Sequence, residues 1–486
     1  MSDRSTATIH AAAGYLSSWV AMQAAFRRAT GVQVAIRSQD EVVLDEAWGL
    51  ADVTTGDPLR TDHLFRIASH SKTFTATAVL QLVEAGRLRL DDPVGVHVPE
   101  LSAAGSPVAG RTVRELLGHQ AGVIRDGVRA DFWQLDGPFP DRAALLADVL
   151  RDGEVFAANE HFKYSNVGYS LLGLVIEQVT GTGYAAHVRS AILDPLGLTR
   201  TGAEYDPARA AEYAAGHTAL LDADDRRERI DHVDTRAMAS ATGFFSTARE
   251  MTTYGSAHFL GDTRLLSDAS KRLIQRQESV VTAYGTEIGR YGVGMDLHTF
   301  GERDVVGHSG GYPGHITRTY IDPRDRLVVS VLTNAIDGPA DPIAVGLIKL
   351  IDLALHAPEP VASADAPADD AAALPLSAYT GRFANLWGVT DLVELGGRLL
   401  MLRPTQADPA TGYEELTVVG PDRLRIHAGP GFGPVGEEVR IDRAPDGSIR
   451  SITTPETAWP IDDFRRSRTG LTRLREATGA LPKVSA

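Results

Sequence analysis

The stretch 307-GHSGGYPGH-315 admits two incompatible readings, and the choice between them decides the fold. Gly307-His308-Ser309-Gly310-Gly311 fits G-x-S-x-G, the pattern of a serine nucleophile on a sharp turn between a strand and a helix. In the other reading His308-Ser309-Gly310 is part of a cleft wall and the nucleophile lies elsewhere. The first reading needs a helix directly after Ser309. Val305-Val306 suits the end of a strand, but Gly310-Gly311-Tyr312-Pro313-Gly314 cannot start a regular helix. The next segment, 316-ITRTYIDPRDRLVVSVLTNA-335, reads as a hairpin turning at Asp322-Pro323-Arg324-Asp325. The local context disfavours Ser309 as the nucleophile.

Outward from this hairpin, residues 10–356 mix strand and helix signals. The runs 32-VQVAIR-37 and 41-EVVLDEAWG-49 read as an early hairpin around Ser38-Gln39-Asp40. Ser71 to Ala85 reads as a helix stopped by Gly86, and Pro342 to His356 as another. Strands at both ends with helices between predict an α+β domain, residues 1–356, whose antiparallel sheet is closed by distant segments. Residues 357–375 are rich in Ala, Pro and Asp and read as a linker. Residues 376–470 hold short alternating runs at 389–395, 398–404, 415–420, 423–428, 437–443 and 449–454, separated by Gly-Gly, Pro-Asp and Asp-Gly turns. That spacing predicts a small antiparallel barrel or sandwich, and after it a tail, 471–486.

The bulk numbers exclude several classes. The chain has 486 residues, enough for two or three domains, with 43% hydrophobic and 23% charged residues. A net charge of -15 repels phosphate backbones, so no nucleic-acid partner is expected. The absence of cysteine removes disulfides, Cys-based zinc sites and a Cys nucleophile. There is no H-E-x-x-H or similar ligand cluster, so neither metal nor cofactor is expected. The segment 14-GYLSSWVAMQAAFRRATG-31 reads as an amphipathic helix of the folded domain, not a leader. No apolar run approaches a membrane span, so the expected location is cytoplasmic, with no membrane partner.

A second candidate nucleophile lies in 66-RIASHSKTFTATAVLQLVEAG-86, which holds Ser69-x-x-Lys72. Lysine is scarce: Lys72, Lys163, Lys271, Lys349 and Lys483 are the whole set, and only Lys72 has a serine three residues before it. At a helix start, residues three apart share a face, so the amine of Lys72 can reach the Ser69 hydroxyl. A serine needs such a neighbouring base to become nucleophilic. The mainly apolar stretch Phe74–Val83 predicts a buried helix, in which an idle lysine would be costly. A capping serine beside a surface lysine remains an equal reading of this stretch alone. Further on, 162-FKYSNVGYSLLGLVIEQVTG-181 places Tyr164-Ser165-Asn166 before an apolar helix. Ser165 or Asn166 would serve as an N-cap. In a functional reading, the Tyr164 phenol, its pKa lowered by a lysine cation, carries a proton. Asn166 then hydrogen-bonds the acyl group.

The three boxes, Ser69-His-Ser-Lys72, Tyr164-Ser-Asn166 and His308-Ser-Gly310, stand in order and far apart. Together they resemble the serine β-lactamase and penicillin-binding protein superfamily, in its class C type branch of D-aminopeptidases, esterases and penicillin-binding-type thioesterases. The stretches 116-LLGHQAG-122, 195-PLGLTRT-201, 241-ATGFFSTAREM-251, 291-YGVGMDL-297 and 331-VLTNA-335 are also similar, and the likeness covers roughly residues 20–356. The C-terminal barrel resembles the lipocalin-like domain of some of these hydrolases. The resemblance implies Ser69 as nucleophile, with Lys72 and Tyr164 completing the catalytic set. It implies an oxyanion hole from the backbone N–H groups of Ser69 and Gly311. It also puts 308-HSG-310 on an edge strand, with Asn166, His308, Ser309 and Gly310 lining the substrate cleft.

The implied reaction is two-step acyl transfer on a small amide, peptide or ester, with Tyr164 taking the Ser69 proton. Two departures stand out. His308 replaces the lysine of the best-known members, which weakens any anchor for a substrate carboxylate and leaves β-lactam hydrolysis weak. Asn159-Glu160-His161-Phe162 replaces a Pro-Gly approach to the second box. The alternatives are an acyltransferase or cyclase of the thioesterase kind, a non-catalytic binding protein, and an α/β-hydrolase using Ser309. Phe132, Trp133 and Tyr312 are candidate pocket walls and His119 a structural histidine, while His161 and Lys163 stay outside the catalytic set. Oligomeric state is not legible.

Overall fold

A computed structural model describes residues 2–220, 226–356, 374–430 and 435–466. Nearly all of the expected linker, the tail 471–486 and the acidic start of the run at 222–229 lie outside the described residues. The chain forms two compact units, one of residues 24–344, the other of residues 1–23 with 345–486. The sequence suggests a single domain over 1–356. By contact, its first 23 residues and those from 345 group with the barrel.

The first unit is built on a nine-stranded antiparallel sheet. Its order is Asp57–Pro58, Glu41–Asp52, Gly31–Ser38, Leu327–Thr333, His315–Asp322, Arg303–Tyr312, Asp296–Phe300, Thr286–Tyr291, Ser279–Ala283. Both hairpins read from the sequence are present, and the distant segments meet where Val32 to Ser38 pair with Thr333 to Leu327. Every residue of Leu327–Thr333 is buried, Ser330 and Thr333 included, as suits an apolar-rich strand covered on both faces.

Two helices carry the site. The Ser71–Glu84 helix is buried from Ser71 to Leu80, deeper than a surface helix with one apolar stripe. It tolerates three threonines because Thr73, Thr75 and Thr77 each bond back to a carbonyl one turn earlier, so no buried hydroxyl is left open. It ends at Ala85, with Gly86 next at φ +66°. The Asn166–Thr180 helix is capped by Ser165, whose Oγ accepts from the Gly168 N–H at 2.8 Å. The cap therefore belongs to Ser165, and the Asn166 side chain is free for other work.

In the second unit, eight strands from Gly381–Asn385 to Glu456–Pro460 close into a barrel around Phe383, Leu392, Leu399, Leu424, Val439 and Ile452. Six of these strands are expected from the sequence. The other two, Gly381–Asn385 and Glu456–Pro460, are the seam: they pair with each other through Phe383–Pro460 and Ala384–Trp459. Without them, barrel and sandwich could not be told apart. Within this unit, Gln23 donates to Pro404 O at 2.6 Å and Arg398 to Leu353 O at 2.6 Å, which ties both helical segments to the barrel. Among the described residues no helix is long and apolar enough to cross a membrane.

Candidate active site

Ser69 sits in the single turn Ala68–His70 that leads into the Ser71 helix. Ala68 before it is held at φ +45°, a left-handed conformation that costs a residue with a side chain on the order of 1 kcal/mol. The turn is locked on its far side. Ser71 Oγ donates to Ala68 O at 2.5 Å and accepts from the Phe244 N–H at 3.1 Å.

Lys72, one turn on, is fully buried. Its Nζ lies 2.6 Å from Asn166 Oδ1, 2.9 Å from Ala241 O and 3.2 Å from Ser69 Oγ. Burial pushes its amine well below the ordinary lysine range, with Asp126 opposing. A neutral amine has two N–H groups and one lone pair. Asn166 Oδ1 and Ala241 O can only accept, so they take both N–H groups, and the lone pair is left for the Ser69 hydroxyl. Ala241 belongs to a π-turn, Ala239–Gly243, which brings its carbonyl to the amine.

Tyr164 stands over the same amine, with Lys72 Nζ 4.7 Å from its ring centre. Its hydroxyl is close enough to Ser69 for the two to be electrostatically coupled. The sequence leads one to expect a lysine cation that lowers its pKa. Burial instead raises it well above the ordinary tyrosine value, with the Ser69 hydroxyl and Arg125 opposing. The phenol here is a neutral hydroxyl that donates and accepts, not a phenolate.

His119 supports this ring. Its Nδ1 accepts from the Ser165 N–H at 3.1 Å, and its ring packs 4.3 Å from that of Tyr164. Burial holds it neutral. The structural role expected of His119 is the one it has.

The Arg303–Tyr312 strand forms the opposite wall. It is an interior strand of the sheet, not an edge strand. Its pairing with Asp296–Phe300 stops at Gly307, however, so His308 to Tyr312 have a strand partner on one side only. This half-edge faces Ser69. At Gly310 a Cβ would lie 2.2 Å from Ile67 O, so only glycine lets the strand approach the Ser69 turn this closely. Ser309 lies inside a strand that turns into the next strand at His315, so no strand-to-helix elbow exists there. His308 Nδ1 donates to Ser309 O at 2.6 Å and Nε2 accepts from the Tyr291 hydroxyl at 3.1 Å. Burial pushes its pKa down to about 4. It is a neutral wall residue with both nitrogens occupied.

A cavity of about 550 Å³ is lined by Ser69, Tyr164, Asn166, His308, Ser309 and Gly311, together with Arg125, Asp126, Trp133, Tyr291 and Asp296. Six of the proposed site residues thus meet there, with Lys72 beneath. Gly310 is buried behind the wall. Of the last five residues, only Trp133 is a candidate from the sequence. Asp126 accepts from Asn166 Nδ2 at 2.6 Å and from Trp133 Nε1 at 3.1 Å. Asp296 is paired with Arg318 at 2.6 Å. Phe132 packs instead on Phe139, Tyr312 lies under Arg66, and His161 is exposed beside Glu160. Among the described residues no group of three or more His, Asp or Glu could hold a metal.

The profile of the Beta-lactamase family matches residues 17–352. Penicillin-binding protein 4* of Bacillus subtilis (strain 168) is 31% identical over 303 residues, which cover 59% of this chain and 65% of that protein's length. The chain thus spans just under two thirds of that relative. The octameric penicillin-binding protein homologue from Pyrococcus abyssi superposes with a TM-score of 0.62 at 23% identity, over 92% of this chain and 99% of that one. The D-amino acid amidase from Ochrobactrum anthropi SV3 gives 0.57 at 26% identity, over 70% and 99%.

Proposed function

This chain belongs to the Beta-lactamase family, and from that premise we propose that it is a serine hydrolase of the class C type that cleaves a small amide, peptide or ester through an acyl-enzyme on Ser69. The observation that carries this reading is the set of contacts around Lys72 Nζ, Asn166 Oδ1 at 2.6 Å, Ala241 O at 2.9 Å and Ser69 Oγ at 3.2 Å, in which a neutral amine turns its lone pair to Ser69.

Lys72 takes the Ser69 proton as Oγ bonds to the substrate carbonyl carbon. The resulting ammonium then has three N–H groups for its three acceptors. The carbonyl oxygen gains the negative charge, and the backbone N–H groups of Ser69 and Gly311 receive it. Such a donor contributes about 3 kcal/mol. The Tyr164 hydroxyl passes a proton to the leaving nitrogen or oxygen and is reprotonated from Lys72. The carbon–leaving-group bond breaks and Lys72 returns to the amine. Water then repeats the sequence on the acyl-Ser69 carbonyl, releasing the acid. This revises the role expected of Tyr164: its raised pKa suits a relay better than a primary base.

Amides are favoured among the substrates because the amidase from Ochrobactrum anthropi SV3 is among the similar structures. A neutral His308 gives a substrate carboxylate no cation, in keeping with weak β-lactam hydrolysis. The test is a panel of D- and L-amino acid amides, aryl esters and a penicillin, each with and without an added amine. Hydrolysis of the amides and esters, lost in Ser69→Ala, is expected. Product formed mainly with the added amine would assign the chain to acyl transfer. No turnover and no acylation on any substrate would contradict the reading.

A further inference from the structure

We propose that Asp126 is a positioning residue for the reaction: resting on the acyl-enzyme reading, its carboxylate selects the one orientation of the Asn166 amide that leaves the Lys72 lone pair open to Ser69.

The two ends of an asparagine amide have nearly the same shape, and only their hydrogen bonds tell them apart. Asn166 touches Lys72 Nζ at one end, 2.6 Å away, and Asp126 Oδ1 at the other, also 2.6 Å away. Lys72 does not decide the orientation, because an amine can donate or accept. A carboxylate can only accept, so Asp126 requires the NH2 end. Oδ1 then faces Lys72 and takes one of its N–H groups. A flipped amide would set its oxygen against the carboxylate and its N–H against Lys72. The lone pair would turn to Asn166 and away from Ser69.

Asp126 is itself held in place. Trp133 Nε1 donates to the same Oδ1 at 3.1 Å, and Arg125 Nε lies 3.1 Å from Oδ2. Its side chain is 13% exposed, so water competes little for these bonds. Asp126 has no bond to Ser69 and acts through Asn166.

Its charge gives the role a signature. The groups facing Lys72 are Ser69 on its own turn, Arg125 and Asp126 on the loop before Trp133, and the rings of Tyr164 and Tyr169. His119 and His308 also face it, and both are neutral. Asp126 is the anion among them and favours the ammonium, while burial and Arg125 oppose it. Removing its charge lowers the pH at which Lys72 releases its proton, even as the freed amide slows the reaction.

The test is the pH profile of kcat/KM on an aryl ester for wild type, Asp126→Asn and Asp126→Glu, with thermal melts. In Asp126→Asn, kcat is expected to fall about 10- to 100-fold with KM nearly unchanged, as for a misplaced catalytic group. The acid limb should move down by roughly half a pH unit or more. Asp126→Glu, which keeps the acceptor and the charge, should restore the limb and much of the rate. A full rate in Asp126→Asn would overturn the proposal, and so would a loss with the acid limb unmoved. Should Asp126→Asn fail to fold, a folded Asp126→Glu with a shifted limb would overturn it as well. Failure of the acyl-enzyme reading is seen separately, as a wild-type Ser69 that takes no acyl group.

Discussion

Lys72 Nζ lies 3.2 Å from Ser69 Oγ, and its other two bonds run to oxygens that can only accept. The amine must therefore be neutral to serve as a base, and burial favours that form. Lys72→Arg separates this from a mere need for positive charge, since a guanidinium keeps donors but cannot lose its proton. Acylation by an aryl ester should fall by at least about 1,000-fold, the upper part of the range for a lost general base. Stopped-flow acylation rates check this. A rate within tenfold of wild type would show that a fixed charge suffices.

Tyr164→Phe removes a hydroxyl and keeps the ring over Lys72 and against His119. The expected cost is roughly 100- to 1,000-fold in kcat, typical of a proton carrier. The loss should be larger for amides, whose leaving nitrogen must be protonated, than for aryl esters. Steady-state kinetics on both substrate types measures the difference.

Gly310 and Gly311 are neighbours with opposite tolerance. A Cβ at Gly310 would meet Ile67 O at 2.2 Å and Thr317 Oγ1 at 2.3 Å, whereas at Gly311 the nearest atom is Ile316 Cδ1 at 3.7 Å. Gly310→Ala should push the strand off the Ser69 turn, costing on the order of 2 kcal/mol in stability and most of the activity. Gly311→Ala should melt within a few degrees of wild type and act through KM, since its methyl enters the cavity. Thermal melts and kinetics on the pair test this.

The buried histidines predict an acid instability. His308 is depressed from 6.5 to about 4, and His70, His232 and His258 from 6.5 to about 3, all by burial. The unfolded chain takes up these protons near pH 6.5 and the folded chain does not. Stability should therefore fall as pH drops from about 6.5 toward 4, with His308 alone contributing roughly 3 kcal/mol. Thermal melts across this range should show it, and His308→Gln should flatten part of the slope. The same histidines should leave no break near pH 6.5 in the rate profile.

Much of this is legible in the sequence, for local reasons. Ser69-x-x-Lys72 is a contact within one turn, and a lone lysine in an apolar helix stands out. The two hairpins carry their own turns. The parts that escape a sequence reading depend on distant packing. Asp126 has no mark in the sequence because its role comes from Asn166 and Trp133 closing around it. The Ala241 carbonyl is any residue's carbonyl until a π-turn aims it. The Tyr164 pKa is misjudged from sequence because spacing shows a nearby amine but not the burial that outweighs it. The two barrel seam strands are only five residues each, and one ends in proline.

The most direct test of the central claim is the intact mass of the protein after exposure to a fluorophosphonate or activated acyl ester, with the modified peptide mapped. One adduct on the peptide holding Ser69, absent in Ser69→Ala, is the predicted result. An adduct that persists in Ser69→Ala and maps to Ser309, or no adduct at all, would contradict it.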